Sequence, residues 1–392
     1  MTQIIKPEKK ALEIADILHH HMDDYKAEYP LWPEHRKIVS DLLNCRTAHL
    51  GGHIERCDTC GAVRITYHSC RNRHCPKCQH MPRERWLEKR KDEILPVSYF
   101  HVIFTLPHEL NTVILNNKKV MFNILFGAAS KTLLTFGKNE LNGTLGFLAV
   151  LHTWDQRLKA HFHLHCLVAG GAVSEDRKRW LSVKNDYLFN EEALSHVFCG
   201  KFMDRLKRVH KTGALKFAGG TCGNFMNMLY GKNWVVSVRD PVKRAEHVLE
   251  YLARYTHRVA IANSRIKKLE NSMVSFTAKN RKKQRTDTII ITAVEFIRRF
   301  FLHSLPSGFV KIRHYGFLSN RNRNENLNTI RDLMGLSVPS EKEVASLEKM
   351  MLQLTDTDIT ICPCCSKGKM QFFAEIPESR ARPPSHLTCS VG

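Results

Sequence analysis

The sequence predicts an α+β chain: an N-terminal cysteine-rich module, then a domain with a central, mainly antiparallel sheet flanked by helices. Three observations carry this. Six of the thirteen cysteines fall between Cys45 and Cys78, in a stretch with little apolar pattern. Farther on, strand-like and helical periodicities alternate, yet Gly146–His152 and His161–Val168 follow one another with no helix between them, which a doubly wound parallel sheet would require. Finally, 392 residues with 43% hydrophobic content suffice for two or three domains with their own cores.

Residues 8–44 read as helices: Ala11, Ile14, Leu18 and Met22 recur at helical spacing, and Ile38, Val39, Leu42 and Leu43 follow Pro30 and Pro33. The tract His19-His20-His21 reads as a solvated helix face. After the cysteine-rich stretch 45–81, Pro82 opens a charged linker helix, Arg83–Leu95. Then come a strand at Tyr99–Leu106, a long helix at Val113–Phe136 and the two strands already named. A helix at Glu191–Val209, a strand at Trp234–Val238 and a helix at Lys243–His257 continue the pattern. Strands at Met273–Ala278 and Thr288–Thr292, and helices at Ala293–His303 and Glu341–Leu354, complete it. The expected division is 1–44, helices; 45–95, cysteine-rich module and linker helix; 96–335, the sheet domain; and 336–392, a tail.

Lys and Arg number 60 against 38 Asp and Glu, a net charge of +22, which favours a polyanion such as nucleic acid, or an anionic membrane surface. No apolar run reaches the roughly 18 residues of a membrane span, and Asn123 interrupts the longest, Val120–Ala129. The N-terminal MTQIIKPEKK lacks a signal peptide's apolar core, so the expected location is the cytoplasm. Thiols stay reduced there, so clustered cysteines point to metal rather than disulfides. Cys166, Cys199 and Cys222, scattered singly, read as small buried hydrophobes.

Cys57-x-x-Cys60 precedes Cys75-x-x-Cys78 by fifteen residues. Paired CxxC knuckles can set four thiolates at the corners of a tetrahedron, the geometry of structural zinc, and Gly61 and Pro76 suit the turns. Zinc would then supply folding energy that the sparse apolar residues cannot. Cys45, His53, Cys70 and His74 flank the knuckles and are the candidates for a second four-ligand site. His53-Ile54-Glu55 matches the H-x-E of zinc nucleobase deaminases, but their second half needs proline directly before a CxxC, where this chain has His74. The tail holds a lone knuckle, Cys362-Pro363-Cys364-Cys365, which His386 and Cys389 could close.

His161-Phe162-His163-Leu164-His165 alternates histidine with apolar residues. In a strand, three imidazoles share one face while Phe162, Leu164 and Cys166 enter a core. Imidazoles side by side suit one divalent ion, and Gln156, Asp155 and His152 are the nearest further ligands. Glu246–Val259 (EHVLEYLARYTHRV) carries Tyr251 and Tyr255 about 40° apart on one helix face. Arg254, His257 and Arg258 lie beside them, suited to phosphates, as do the basic stretches Lys279–Arg285 and Arg313–Arg323, with Arg313, Arg321 and Arg323. Gly127–Thr132 (GAASKT) lacks P-loop spacing, so no nucleotide cofactor is expected.

A His-hydrophobic-His pair with a tyrosine elsewhere resembles the HUH endonucleases. The segments LGGHIERCDTCG, SCRNRHCPKCQH, FHVIFTLPHELN, LHTWDQRLKAHFHLHCLVAGG, YLARYTHRVAIAN and RHYGFLSNRNR occur in an order similar to that of the insertion-sequence ninety-one family. These are rolling-circle, two-tyrosine HUH transposases with an N-terminal zinc-binding domain. The resemblance runs from about residue 10 to 335 and recurs weakly at Cys362–Cys365. It implies that 96–335 is an HUH endonuclease domain, His163 and His165 ligands of a catalytic Mg²⁺ or Mn²⁺, and Tyr251 and Tyr255 nucleophiles. Gln156 is the candidate third ligand. Asp155 stands where relatives usually carry glycine, which leaves its role open.

The implied activity is a transposase that nicks and rejoins single-stranded DNA at transposon ends and in target DNA, through a 5′-phosphotyrosine. Such an enzyme would be associated with the bacterial nucleoid through its DNA. The rivals are a rolling-circle replication initiator or relaxase, and a non-catalytic zinc-dependent DNA-binding regulator.

Overall fold

The structure, a computed structural model, describes residues 11–216, 222–244, 247–248, 250, 256, 259–280, 283–339 and 345–379. It opens with helices α1 (Ile14–Glu28) and α2 (Pro33–Leu43). Pro33 begins α2, where a missing N–H costs nothing, and Ile14, Ile17, Leu18, Met22 and Tyr25 form the buried stripe of α1. A hairpin of β1 (Gly52–Cys57) and β2 (Val63–Tyr67) leads to α3 (His80–Lys91) and β3 (Tyr99–Thr105). Helices α4 (Asn111–Asn116) and α5 (Lys118–Leu141) precede β4 (Gly143–Trp154), β5 (Ala160–Ser174) and β6 (Trp180–Ser182). Next come α6 (Glu191–Lys211), α7 (Cys222–Tyr230), β7 (Val235–Val242), β8 (Ile266–Glu270), β9 (Met273–Asn280) and β10 (Arg285–Thr292). The described elements end with α8 (Ala293–Leu302), β11 (Ile312–Gly316), α9 (Arg323–Leu333), α10 (Leu347–Thr355) and β12 (Met370–Ile376).

The central sheet runs β11-β4-β5-β3-β7 with β6 beside β5, and all its described pairings are antiparallel. This is the expected α+β architecture. Because side chains alternate along a strand, the two faces bury different sets. On one face Phe100, Val102, Phe104, Phe162, Leu164, Cys166 and Val168 share a core with α5 and α6. On the other, Tyr99, Leu148, Val150, Leu167 and Ala169 meet Leu87 of α3, Leu327 and Ile330 of α9, and Val248.

The long helix expected at Val113–Phe136 is two helices. Asn117 breaks it: its side-chain NH2 donates to the carbonyls of Val113 (2.9 Å) and Lys216 (2.9 Å), and its Oδ1 accepts from Lys216 N (2.8 Å). The side chain thus competes for the helix's own carbonyls. Helix α5 is long and apolar enough to cross a membrane by length and composition, and 67% of its apolar window is buried in the protein core.

Two contacts cross the expected divisions. Helices α1 and α2 share a core with Ala260, Ile261, Phe276 and Phe296. Strand β12 pairs with β1, joining the tail to the cysteine-rich hairpin.

Two buried histidines sit in these contacts. His35 stacks on Phe301 (4.3 Å between centroids), and its Nε2 lies 3.0 Å from Ser304 Oγ. His303 Nε2 donates to the Leu158 carbonyl (3.0 Å), which leaves Nδ1 to accept from Thr153 Oγ1 (3.3 Å). Burial pushes both imidazoles down to about 4 from an ordinary 6.5. The unfolded chain therefore binds these protons more readily than the folded one. Their contribution is fully present above pH 6.5 and is lost as the pH falls toward 4. For the fully buried His303, about 2 kcal/mol should be gone at pH 5. Urea midpoints between pH 7 and 5.5 are expected to fall, and His303→Gln to flatten the slope. An unchanged midpoint would contradict neutral burial.

Candidate functional site

The cysteines form two separate sets. The Sγ of Cys45 lies 3.4 Å from that of Cys78 and 3.6 Å from that of Cys75, and Cys70 Sγ lies 3.6 Å from Cys78. Four thiolates on one Zn²⁺, at Zn–S about 2.3 Å, require S–S edges of about 3.8 Å, so this set fits the ion. Cys45, Cys75 and Cys78 are buried against the core of α1, α2 and α8.

Cys57 and Cys60 do not join Cys75 and Cys78, contrary to the expectation from the paired knuckles; they lie instead beside Cys362 and Cys365. The β1–β2 hairpin is the reason. Its base holds Cys45 and Cys70, and its tip carries Cys57 and Cys60. Six residues of strand at about 3.3 Å each separate the two ends.

His53 and His74 join neither set. His53 Nε2 lies 3.9 Å from Glu55. His74 accepts at Nε2 from Leu305 N (3.4 Å), and burial beside Arg73 and Lys311 pushes it down to about 3.

A third cluster lies on the central sheet. His163 and His165 project from the face of β5 opposite the buried Phe162, Leu164 and Cys166. His152 on β4 is in register with His163, so antiparallel pairing alone brings it alongside. One nitrogen from each of His152, His163 and His165 comes within 4.8 Å of the others. His163 Nδ1 donates to the His161 carbonyl (3.0 Å), so in the neutral ring Nε2 carries the lone pair. That Nε2 faces His165 Nε2 at 3.0 Å, and His165 Nδ1 lies 2.7 Å from His101 Nε2 on β3. With His165's proton on Nδ1, held by His101, both Nε2 lone pairs converge. This donor set fits a divalent cation.

His101 was not among the expected site residues, although it lies in the FHVIFTLPHELN segment. Its role depends on β3 being the neighbour of β5, a tertiary fact.

Gln156 follows the last residues of β4, close along the chain to His152. It sits in the β4–β5 turn, where its carbonyl accepts from Arg265. Asp155 shapes that turn: its Oδ1 accepts from Arg157 N (2.8 Å) and Lys159 N (2.7 Å). The further imidazole is His152.

Tyr251, Tyr255, Arg254, His257 and Arg258 lie outside the described residues, as do His386 and Cys389. The described ends of the tyrosine segment are informative. Val248 shares a core with Leu148, Val150, Leu167 and Ala169, on the sheet face that bears the histidines. Ala260 and Ile261 pack with Trp154 and Leu158, beyond the histidine end of the β4–β5 hairpin.

The expected DNA contacts divide. Arg321 is exposed. Arg323 is committed to structure: it donates to Glu93 (2.9 Å) and to the Leu318 carbonyl (3.1 Å). Arg313 lies on the opposite sheet face, over the Phe126 ring (4.1 Å) and bonded to Asn123 (2.7 Å).

Two family models and two relatives agree on one class. Residues 17–106 match the family model described as "Transposase zinc-binding domain", and residues 146–326 the one described as "Putative transposase". "Putative transposase y4qJ" of Sinorhizobium fredii is 39% identical over 387 residues, covering 95% of this chain and 97% of the relative. "Transposase for insertion sequence element IS801" of Pseudomonas savastanoi pv. phaseolicola is 24% identical over 364 residues, 87% of this chain and 83% of the relative. Among solved structures, the conjugative relaxase TrwC in complex with OriT DNA (metal-free) is weakly similar: TM-score 0.23, 12% identity, 61% of this chain and 73% of that one.

The class is therefore transposase. The chain belongs to the insertion-sequence ninety-one family of transposases, with a zinc-binding domain at its N-terminal end.

Zinc in the Cys45 set should be a folding requirement, because it ties four close sulfurs from separate parts of the chain into the core they are buried against. Cys75→Ser is expected to lose one zinc per chain and several kcal/mol of stability, read by metal analysis and by thermal unfolding followed at the N-terminal helices. Full zinc retention in this variant would remove Cys75 from the ligand set.

Proposed function

We propose that this transposase nicks and rejoins single-stranded DNA at transposon ends and in target DNA, through a 5′-phosphotyrosine. The supporting observation is the convergence of His152, His163 and His165 on the sheet face against which Val248 also packs. In this reading 96–335 is an HUH endonuclease domain, and 45–95 with the N-terminal helices is its DNA-recognising zinc module.

A Mg²⁺ or Mn²⁺ held by the three imidazoles would polarise the scissile phosphate. His101 keeps the proton of His165 on Nδ1, so that Nε2 remains a ligand. Tyr251 or Tyr255 attacks phosphorus through its phenolic oxygen; the P–O3′ bond breaks, the phenol proton goes to solvent, and the 3′-oxygen takes one up. The bond energy is retained in the phosphotyrosine, so a 3′-hydroxyl can later reverse the step and join strands without a nucleotide cofactor. Arg254, His257, Arg258 and Arg321 are proposed to hold phosphates.

The test is a nicking assay on end-labelled single-stranded oligonucleotides carrying the element's ends. With the label at the 3′ end, a protein-linked labelled fragment is expected, and with the label at the 5′ end, a released fragment bearing a free 3′-hydroxyl, both requiring Mg²⁺ or Mn²⁺. DNA bound without any cleavage would favour a regulator, and cleavage that leaves no protein-linked product would exclude the tyrosine route.

A further inference from the structure

The second cysteine set lies partly outside both matched regions, since Cys362 and Cys365 follow residue 326. Its Sγ contacts are 3.8 Å from Cys57 to Cys365 and 3.7 Å from Cys60 to Cys362, across 308 and 302 residues of chain. All four sulfurs lie within 4.8 Å of one another, and the two printed edges match those of a tetrathiolate zinc.

The backbone is built for thiolates on both sides. Thr59 N and Cys60 N each donate to Cys57 Sγ at 3.4 Å, and Gly368 N donates to Cys365 Sγ at 3.3 Å. Each CxxC closes with a left-handed residue, Gly61 (φ 69°) and Ser366 (φ 54°). A Cβ on Gly368 would sit 2.5 Å from Cys57 Sγ, so the second knuckle can approach the first only with glycine there.

The surrounding structure is thin. The local core is Cys57, Ala62, Cys362 and Met370, half of it cysteine, so apolar burial alone does not hold it. Around it, β12 adds to β1 from Met370↔Cys57 to Ile376↔Gly52, and Asp58 and Lys369 exchange bonds, Asp58 N to Lys369 O at 3.1 Å and Lys369 N to Asp58 Oδ1 at 2.9 Å.

We propose that Cys57, Cys60, Cys362 and Cys365 form a second, split zinc site that clamps the C-terminal segment onto the N-terminal hairpin. The chain would then hold two tetrathiolate zincs, the Cys45 set at the base of the hairpin and this one at its tip. The hairpin would be complete only when the C-terminal segment arrives, which makes this part of the zinc module dependent on the whole chain. A site that closes so long a loop constrains the unfolded chain strongly. Each ligating thiol releases its proton to solvent on binding.

The structure supplies an internal control. Cys364 sits inside the second knuckle, exposed and outside the sulfur cluster, while Cys60 is exposed and inside it. The full-length, zinc-loaded protein is alkylated with N-ethylmaleimide and each cysteine followed by peptide mass spectrometry. Cys364 is expected to label at once, and Cys57, Cys60, Cys362 and Cys365 to label together only after a chelator is added. Metal analysis should give two zincs per chain, and one for the Cys362→Ser/Cys365→Ser protein. Cys365→His, which keeps four ligands, should retain two, and its cobalt(II) form should show d–d bands shifted from those of the parent. Labelling of Cys60 as fast as Cys364 would overturn the proposal. So would cysteines that stay unlabelled after chelation without reductant, which signals a disulfide, or two zincs retained in the double serine variant.

Discussion

His165→Ala is expected to abolish strand cleavage while leaving the protein folded and its zinc bound. The side chain supplies one of three convergent nitrogens, and its Nδ1 lies 2.7 Å from His101 Nε2. Its loss leaves two imidazoles, too few to hold Mg²⁺ or Mn²⁺ firmly. If the ion contributes several kcal/mol to the transition state, the rate should fall on the order of 10³-fold or more. Stability should hardly move, because Leu164 and Cys166 keep the strand's buried face. His101→Ala supplies a graded comparison. It removes only the group that orients His165, so a loss of about 10- to 100-fold, partly recovered at high Mn²⁺, is expected. Cleavage rate, zinc content and thermal midpoint should be measured on both proteins. A cleavage-competent His165→Ala protein would remove the histidine face from the mechanism.

The Tyr251→Phe/Tyr255→Phe protein should form no covalent DNA adduct, with DNA affinity nearly unchanged, since only two hydroxyls are lost. One tyrosine that has cut a strand stays occupied, so passing a strand between donor and target calls for a second nucleophile or a resolving step. Two phenols four residues apart in sequence could use the same ion in turn. Phe at either position alone should therefore leave at most partial cleavage and no complete strand transfer. Trapping 3′-labelled DNA on the protein and mapping the modified peptide identifies the nucleophile. An adduct on Tyr230, or one that persists in the double variant, would defeat the assignment. An adduct found on only one of the pair would reduce the other to a supporting role.

Local chemistry made much of the molecule legible. The alternation of His161 to Cys166 specifies a strand with one buried and one imidazole-bearing face, because the strand period is two whatever the partner. Helices α1, α2, α6 and α8 follow from apolar spacing within 15 residues or so. The short strands β1, β2, β11 and β12 were not anticipated. Each mixes polar and apolar residues on both sides, and each is stabilised by the strand beside it rather than by its own pattern.

The sequence by itself determined the ligand types: thiolates in CxxC knuckles, imidazoles at strand spacing, tyrosines at helix spacing. It could not decide which of them meet. A CxxC turn brings two sulfurs together locally, but a tetrahedron needs two such pairs, and any pair in the chain is chemically equivalent to any other. Only the hairpin length separated Cys57 and Cys60 from Cys75 and Cys78, and only β12 adding to β1 delivered Cys362 and Cys365 across some 300 residues. Likewise Gln156 is closer in sequence to His161 than His152 is, yet antiparallel register set His152 opposite His163 and turned Gln156 into the loop. Proximity along the chain is a poor guide once a strand reverses direction, since the turn takes up the nearest residues and the ladder pairs those farther out.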